Sequence, residues 1–204
     1  MQKLWEWAGE KLITEEINRT LLLATDDSGQ TAWHYAAKSG KQDVLQKLWE
    51  FAKEKLTTEE INNKFLLVAH NKGKTVWRMA IQMGNVEILE KVWGWAKEKL
   101  RRDEINKNLL LSTNDLGFTA LHLAVWFGNH QVLQKIWEFA KESLSDEDLK
   151  FKLLLTTNYA SKTAWHVAAE WGNVELLEEI WHCCKEKLTT EETNNCLLLA
   201  TDGM

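Results

Sequence analysis

The stretch Thr163-Ala-Trp-His-Val-Ala-Ala-Glu-Trp-Gly172 recurs in recognisable form along the chain. Copies begin at Thr31, Thr75 and Thr119, so that successive copies are 44 residues apart. The same spacing relates five tryptophans outside the stretch, at positions Trp5, Trp49, Trp93, Trp137 and Trp181. Self-similarity at a fixed period is typical of a solenoid, in which each unit buries its apolar face against its neighbours. The sequence therefore predicts one repeat solenoid over residues 1–204, with a partial unit at 1–30 followed by repeat 1 (31–74), repeat 2 (75–118), repeat 3 (119–162) and repeat 4 (163–204).

Two helices are predicted at the start of repeat 1. Turn-forming residues at 26–30 precede Thr31, which stands where a helix N-cap belongs, and Gly40 ends a short first helix predicted over Ala32–Ser39. After Gly40, apolar residues recur every three or four positions, which predicts a long amphipathic second helix. These residues are Val44, Leu45, Leu48, Trp49, Ala52 and Leu56. We interpret Trp49 and its equivalents as packing between repeats, because a large ring buries much apolar area.

The segment from 57 to 69 predicts a third helix. Thr57 and Glu60 have the spacing of a capping box, and acidic residues in the first turn suit the helix dipole. The run Phe65-Leu-Leu67 could instead be a short buried strand, and periodicity leaves both alternatives open. The chain contains no proline, so no residue type in it forbids long helices.

The recurrent stretch resembles the ankyrin repeat signature, Thr-Pro-Leu-His-x-Ala-Ala-x-x-Gly. The segments Asn85-Val-Glu-Ile-Leu89 and Asn173-Val-Glu-Leu-Leu177 match the residues that come after the signature in that family. Alanine or valine replaces the proline, tryptophan usually replaces the leucine, and the period exceeds the family's, which is about 33, by roughly 11 residues. An inserted third helix accounts for the difference, since it amounts to about three helical turns. The resemblance implies an all-α, ankyrin-like helical repeat solenoid with about three helices per repeat. It also implies a structural, loop-bonding role for His34, His122 and His166, although Arg78 replaces the histidine in repeat 2.

Composition narrows the class of partner. The formal net charge is −5, and lysines alternate with glutamates as in Lys53-Glu-Lys55, so we expect no nucleic-acid partner. No apolar stretch approaches the ~18 residues of a membrane span, and we expect no membrane partner. The three cysteines are an odd number and lie close together, at Cys183, Cys184 and Cys196, which does not suggest a disulfide framework. We therefore expect a cytoplasmic protein.

Sequence motifs for catalysis are not found. The chain contains no P-loop, dinucleotide fingerprint, nucleophile elbow or His-Glu-x-x-His pair, so we expect neither an enzyme nor a cofactor. His182, Cys183, Cys184 and Cys196 have the residue types of a zinc or redox site. Three consecutive helical residues diverge by about 100° each, however, and cannot converge on one ion. We interpret the cysteines as small packing residues.

Positions that the ankyrin signature leaves open differ between the repeats and become more apolar along the chain. The candidate protein-binding residues at these positions are Tyr35, Met79, Met83, Leu116, Phe118, Leu123, Trp126, Phe127, Tyr159, Val167 and Trp171. The third helix could cover them, or they could form an open recognition surface, since contiguous exposed apolar surface usually marks an interface. Ser161 replaces the turn glycine found at 29, 73 and 117, which predicts an altered loop in repeat 4.

Two functions remain as alternatives. The resemblance implies a non-catalytic scaffold that binds a protein partner on a concave surface of first helices and turns. The chain could instead be a structural or self-assembling segment of a longer array. Apolar residues near both ends predict end-to-end self-association, because solenoids normally need polar caps. These residues are Leu4, Trp5, Trp7, Trp181, Leu197, Leu198 and Leu199.

Overall fold

The computed structural model describes residues 20–70 and 73–194, and these residues form helices and turns with no strand among them. The predicted all-α repeat fold is confirmed. The chain divides into two compact parts, Met1–Met79 and Ala80–Met204, and each part is described by itself. One continuous solenoid over the whole chain stays a prediction. The terminal residues Leu4, Trp5, Trp7, Cys196 and Leu197–Leu199 lie outside the described residues.

The first two helices of each repeat have the predicted order. The first helices are Ala32–Lys38, Val76–Met83, Ala120–Trp126 and Ala164–Glu170. The second helices are Gln42–Lys55, Val86–Lys99, His130–Ser143 and Val174–Lys187. Glycines with positive φ at 40, 84, 128 and 172 stand between the first and second helices, where the chain reverses direction.

A third helix is present in every repeat, and within the described residues it continues as a π-helix of five or six residues in repeats 1 to 3. The α-helical turns are Thr58–Glu60, Arg102–Ile105, Asp146–Asp148 and Thr190–Thr193. The π-helical continuations are Ile61–Leu66, Asn106–Leu110 and Leu149–Leu154. The predicted capping box is confirmed: Thr57 Oγ1 accepts from the Glu60 amide at 3.2 Å, and Glu60 Oε2 accepts from the Thr57 amide at 3.2 Å. The strand alternative for Phe65-Leu-Leu67 is wrong, since Phe65 and Leu66 end a helix.

In the first compact part, one ring from each helix of repeat 1 forms the core. The Trp33 centroid lies 4.4 Å from that of Phe65 and 6.4 Å from that of Trp49. All three side chains are buried. The third helix therefore shares one core with the first two helices of the repeat.

In the second compact part, the recurrent tryptophan joins neighbouring repeats. The Trp93 ring stacks on Phe139 of repeat 3, with centroids 4.5 Å apart, and its indole Nε1 donates to Glu142 at 3.4 Å. Trp137 repeats the hydrogen bond one repeat later, where its Nε1 donates to Glu186 at 3.1 Å, although Cys183 stands at the position equivalent to Phe139. Packing between repeats is thus confirmed for these two tryptophans. The two carboxylates stand at equivalent positions 44 residues apart, and sequence reasoning does not single them out.

The turn before the first helix keeps its shape in repeat 4, contrary to the prediction. Asn158 Oδ1 accepts from the Ala160 and Lys162 amides, as Asn114 Oδ1 accepts from the Leu116 and Phe118 amides one repeat earlier. These contacts hold Ser161 at φ 58°, close to the 77° of Gly117. The side chain of the asparagine therefore imposes the left-handed conformation on the residue three positions later, even where that residue has a Cβ.

Candidate binding surface

The eleven candidate residues separate into an exposed and a buried group. Seven are exposed: Tyr35, Met83, Leu116, Trp126, Phe127, Tyr159 and Trp171. Four are buried: Met79, Phe118, Leu123 and Val167. The first group shows that the third helix does not cover the open positions as a class.

The four buried residues do not belong to an open surface, which corrects their selection from the sequence. Leu123 and Val167 are each four residues after the N-cap threonine, and the first helices that carry them pack against each other. Phe118 precedes the N-cap and stacks on the His122 ring at 5.7 Å, with Trp126 covering it edge-on at 5.2 Å. The differences at Leu123 and Val167 therefore reflect packing between neighbouring first helices.

The threonine and histidine of the recurrent stretch hold the turn to the first helix. Nδ1 of His34, His122 and His166 lies 2.9 Å from the hydroxyl of the threonine three residues earlier. Nε2 of His122 lies 3.1 Å from the Lys162 carbonyl, in the turn that leads into the next repeat, and Nε2 of His34 lies 3.2 Å from the Val68 carbonyl. The loop-bonding role that the resemblance implies is present in the structure. In repeat 2, Arg78 Nη1 instead donates to the Gly73 carbonyl at 3.1 Å.

Hydrogen bonding and burial keep His122 neutral. The Thr119 amide donates to its Nδ1, which must therefore carry a lone pair, so the proton sits on Nε2 and points to the Lys162 carbonyl. Burial lowers the pKa of His122 to about 4. Both ring nitrogens are occupied by protein groups, so this histidine serves neither as a general base nor as a metal ligand.

Four of the exposed residues form an apolar ridge, which we define as Met83, Trp126, Phe127 and Trp171. Met83, Phe127 and Trp171 occupy the same position in repeats 2, 3 and 4, where the first helix ends. The Trp126 and Trp171 rings meet edge to face, with centroids 4.9 Å apart. At the other end, the side-chain Nδ2 of Asn129 donates to the Ile81 carbonyl at 3.3 Å, which holds the two helix ends close together. The ridge therefore runs across three repeats of the second compact part.

Two further exposed residues lie at the tips of the turns. Tyr159 is 77% exposed, and its backbone amide donates to the Leu116 carbonyl at 3.1 Å, so the turns that precede the first helices of repeats 3 and 4 are joined through their backbones. A Cβ on Gly117 would lie 2.8 Å from Tyr159 Cδ1, which shows that the ring lies against this glycine. The Leu116 and Tyr159 side chains add apolar surface to the same turns that the histidines hold in place.

Tyr35 belongs to the first compact part and has a polar setting. Its hydroxyl donates to Asp26 at 2.7 Å. Lys38 and Ser39 stand after it at the positions that Trp126 and Phe127 occupy in repeat 3. Tyr35 is therefore exposed like the residues of the ridge, but polar residues follow it where repeat 3 has Trp126 and Phe127.

The described cysteines are buried in the second helix of repeat 4. Burial raises the pKa of the Cys183 thiol well above its usual range and that of Cys184 to about 12. Thiols that stay protonated are poor nucleophiles and poor metal ligands. Within residues 20–70 and 73–194, no group of three or more metal-ligating side chains converges. The positions fit packing by small apolar side chains.

None of the helices in the described part of the chain combines the length and apolar character needed to cross a membrane.

Comparison with known proteins gives one family. Residues 116–141 match the family model described as Ankyrin repeat. This segment begins in the turn at Leu116, contains the first helix of repeat 3 and ends near the end of the second. No curated protein matches the chain. Ankyrin repeats are modules of protein–protein interaction and are generally non-catalytic. The resemblance to the ankyrin repeat family is therefore confirmed over residues 116–141 of this chain.

Proposed function

We propose that the chain is a non-catalytic protein-binding module whose partner contacts the apolar ridge and the turn residues Leu116 and Tyr159. The observation that carries the proposal is the exposed pair of Trp126 and Trp171, at the ends of neighbouring first helices. Tryptophan is among the residues most enriched at the energetic centres of protein interfaces, and contiguous exposed apolar surface usually marks such an interface.

Buried side chains also hold the Trp126 ring of the ridge in place, which favours recognition of a partner. Trp126 rests on the buried Phe118, whose ring stacks on the hydrogen-bonded His122. An anchor already held in one orientation loses little conformational entropy when a partner binds. The hydrogen bonds of His122 therefore serve the surface indirectly, because they fix the ring on which Phe118, and through it Trp126, rests.

The proposal is tested by comparing three baits in affinity capture from a cell lysate, with quantitative mass spectrometry. The double variant W126S/W171S removes both rings. The control variant Phe151→Ser removes an aromatic ring at least as exposed as that of Trp126 from the third helix of repeat 3, outside the ridge. We expect the double variant to lose proteins that the wild type and the control retain. If the rings are central anchors, their removal weakens the binding free energy by at least about 2 kcal/mol.

Retention of the same proteins by all three baits would contradict the proposal, provided that circular dichroism shows the double variant to be folded. Self-association, the alternative function, has a separate signature. Sedimentation over a concentration series would then show wild-type oligomers, with no captured protein that depends on the ridge.

A further inference from the structure

The charged residues closest in sequence to the apolar ridge are all acidic. Within four residues of Met83, Phe127 or Trp171 in sequence, counted inside the second compact part, the charged residues are Glu87, Glu170 and Glu175. No lysine or arginine stands in these windows. Glu87 and Glu175 lie in the first turns of the second helices and are exposed. Asp115, also exposed, adds a further carboxylate beside Leu116 at the turn.

The nearest lysine in the adjoining turn is already neutralised. Lys162 Nζ lies 2.9 Å from Glu170 Oε1, so this cation and this carboxylate compensate each other. Glu87, Glu175 and Asp115 remain, and the structure gives none of them an ion pair with a described residue within 4.0 Å. The apolar ridge is therefore bordered by uncompensated negative charge.

We propose that the partner of the ridge is a protein segment with apolar anchor side chains flanked by lysine or arginine. This inference rests on the proposed function and specifies it. Interfaces combine an apolar centre with a polar rim, and complementary rim charges speed association and exclude partners of the wrong sign. An acidic segment would place like charges against Glu87, Glu175 and Asp115.

The spacing of packed helices gives the length of the ridge, and hence the length of the partner segment that covers it. Neighbouring helices lie about 8–10 Å apart, so a ridge over three repeats is roughly 20 Å long. About 6 extended residues or about 13 helical residues cover that length. A library of peptides of about 16 residues is long enough for both conformations.

The test is selection of displayed random peptides of about 16 residues on the full wild-type chain, with W126S/W171S as the counter-selection bait. We expect peptides that bind only the wild type to carry apolar residues together with a several-fold excess of Lys and Arg over Asp and Glu. Selected peptides that depend on the ridge but are neutral or acidic would overturn this inference and leave the proposed function standing. Failure to enrich any peptide over the counter-selection bait would overturn both.

A second measurement isolates the charges. For the best basic peptide, fluorescence anisotropy compares the wild type with E87Q/E175Q and with the control Glu147→Gln, an exposed carboxylate on the third helix of repeat 3. We expect the double variant to bind ~3–10-fold more weakly at low salt, and the difference to shrink as salt rises. Equal affinities for all three proteins would show that the acidic border does not select the partner.

Discussion

Replacement of Trp137 by alanine tests the packing between repeats 3 and 4. Trp137 is 5% exposed, and a tryptophan of this kind buries about 150–250 Å². At about 25 cal/mol per Å², the lost burial amounts to roughly 4–6 kcal/mol as an upper limit, and measured Trp→Ala changes cost about 3–5 kcal/mol. The hydrogen bond from its indole to Glu186 adds little, because that carboxylate stays accessible to water. We therefore expect a loss of about 3–5 kcal/mol in the free energy of unfolding.

Urea titration monitored by far-ultraviolet circular dichroism measures this loss. Trp171→Ala is the matched control, because it removes the same side chain from a site that is 57% exposed, where we expect a cost below about 1 kcal/mol. The alanine variant at 137 should also show a broader transition, since weakening one interface in a repeat array uncouples its neighbours. Equal costs at the two sites, or a cost under about 1 kcal/mol at 137, would refute the assignment of Trp137 to the core.

The turns and helix ends give three further predictions. Ser161→Gly should raise the free energy of unfolding by about 0.5–1 kcal/mol, measured by urea titration, because Ser161 has φ 58° and glycine adopts that conformation without strain. Lowering the pH should destabilise the protein, since burial holds the pKa of His122 at about 4 in the folded state, against 6.5 for a free histidine. The stability that comes from keeping His122 neutral is complete above pH 6.5, and up to roughly 3 kcal/mol of it is lost as the pH falls to 4. The urea midpoint of the His122→Asn variant should therefore vary less with pH than that of the wild type. Gly84→Ala should lower the free energy of unfolding by about 2–3 kcal/mol, because the added Cβ would lie 2.5 Å from Asn129 Oδ1. The control Gly128→Ala has a similar φ and no atom within 4 Å of the added Cβ, so it should lower it by only about 1 kcal/mol. Equal melting temperatures for the two variants would contradict the close approach at Gly84.

Much of the local structure could be predicted because it depends on interactions between residues close in sequence. The Thr57–Glu60 capping box spans three residues, so the spacing of residue types is sufficient to predict it. The role of the histidines in holding the loop follows instead from the resemblance to the ankyrin signature. The predicted change in the loop before the first helix of repeat 4 is wrong, because it rests only on the absence of a glycine at 161. The side chain of Asn158 holds the turn in the same shape without that glycine. The π-helical winding of the third helix is not predictable in this way, since the apolar spacing of Ile61, Phe65 and Leu66 is compatible with both windings.

The candidate surface shows where sequence reasoning ends. Leu123 and Phe127 both stand at open positions of the same repeat, yet the first is buried and the second is exposed. The difference depends on the neighbouring first helix, which covers the middle of the helix and leaves its end accessible. Variability identifies positions that the fold leaves free to change, but exposure depends on a partner element 44 residues away.

By itself, the sequence determined the 44-residue period, the first two helices of each repeat and the residues that cap them, because these depend on local spacing and on similar units recurring in register. For part of the third segment it left both a helix and a strand open. Only the tertiary structure decided which apolar residues remain exposed, which carboxylates accept from Trp93 and Trp137, and that the Trp126 and Trp171 rings meet. The physical reason is that these contacts join side chains of different repeats, whose relative placement depends on the packing of whole helices and not on the sequence of either one.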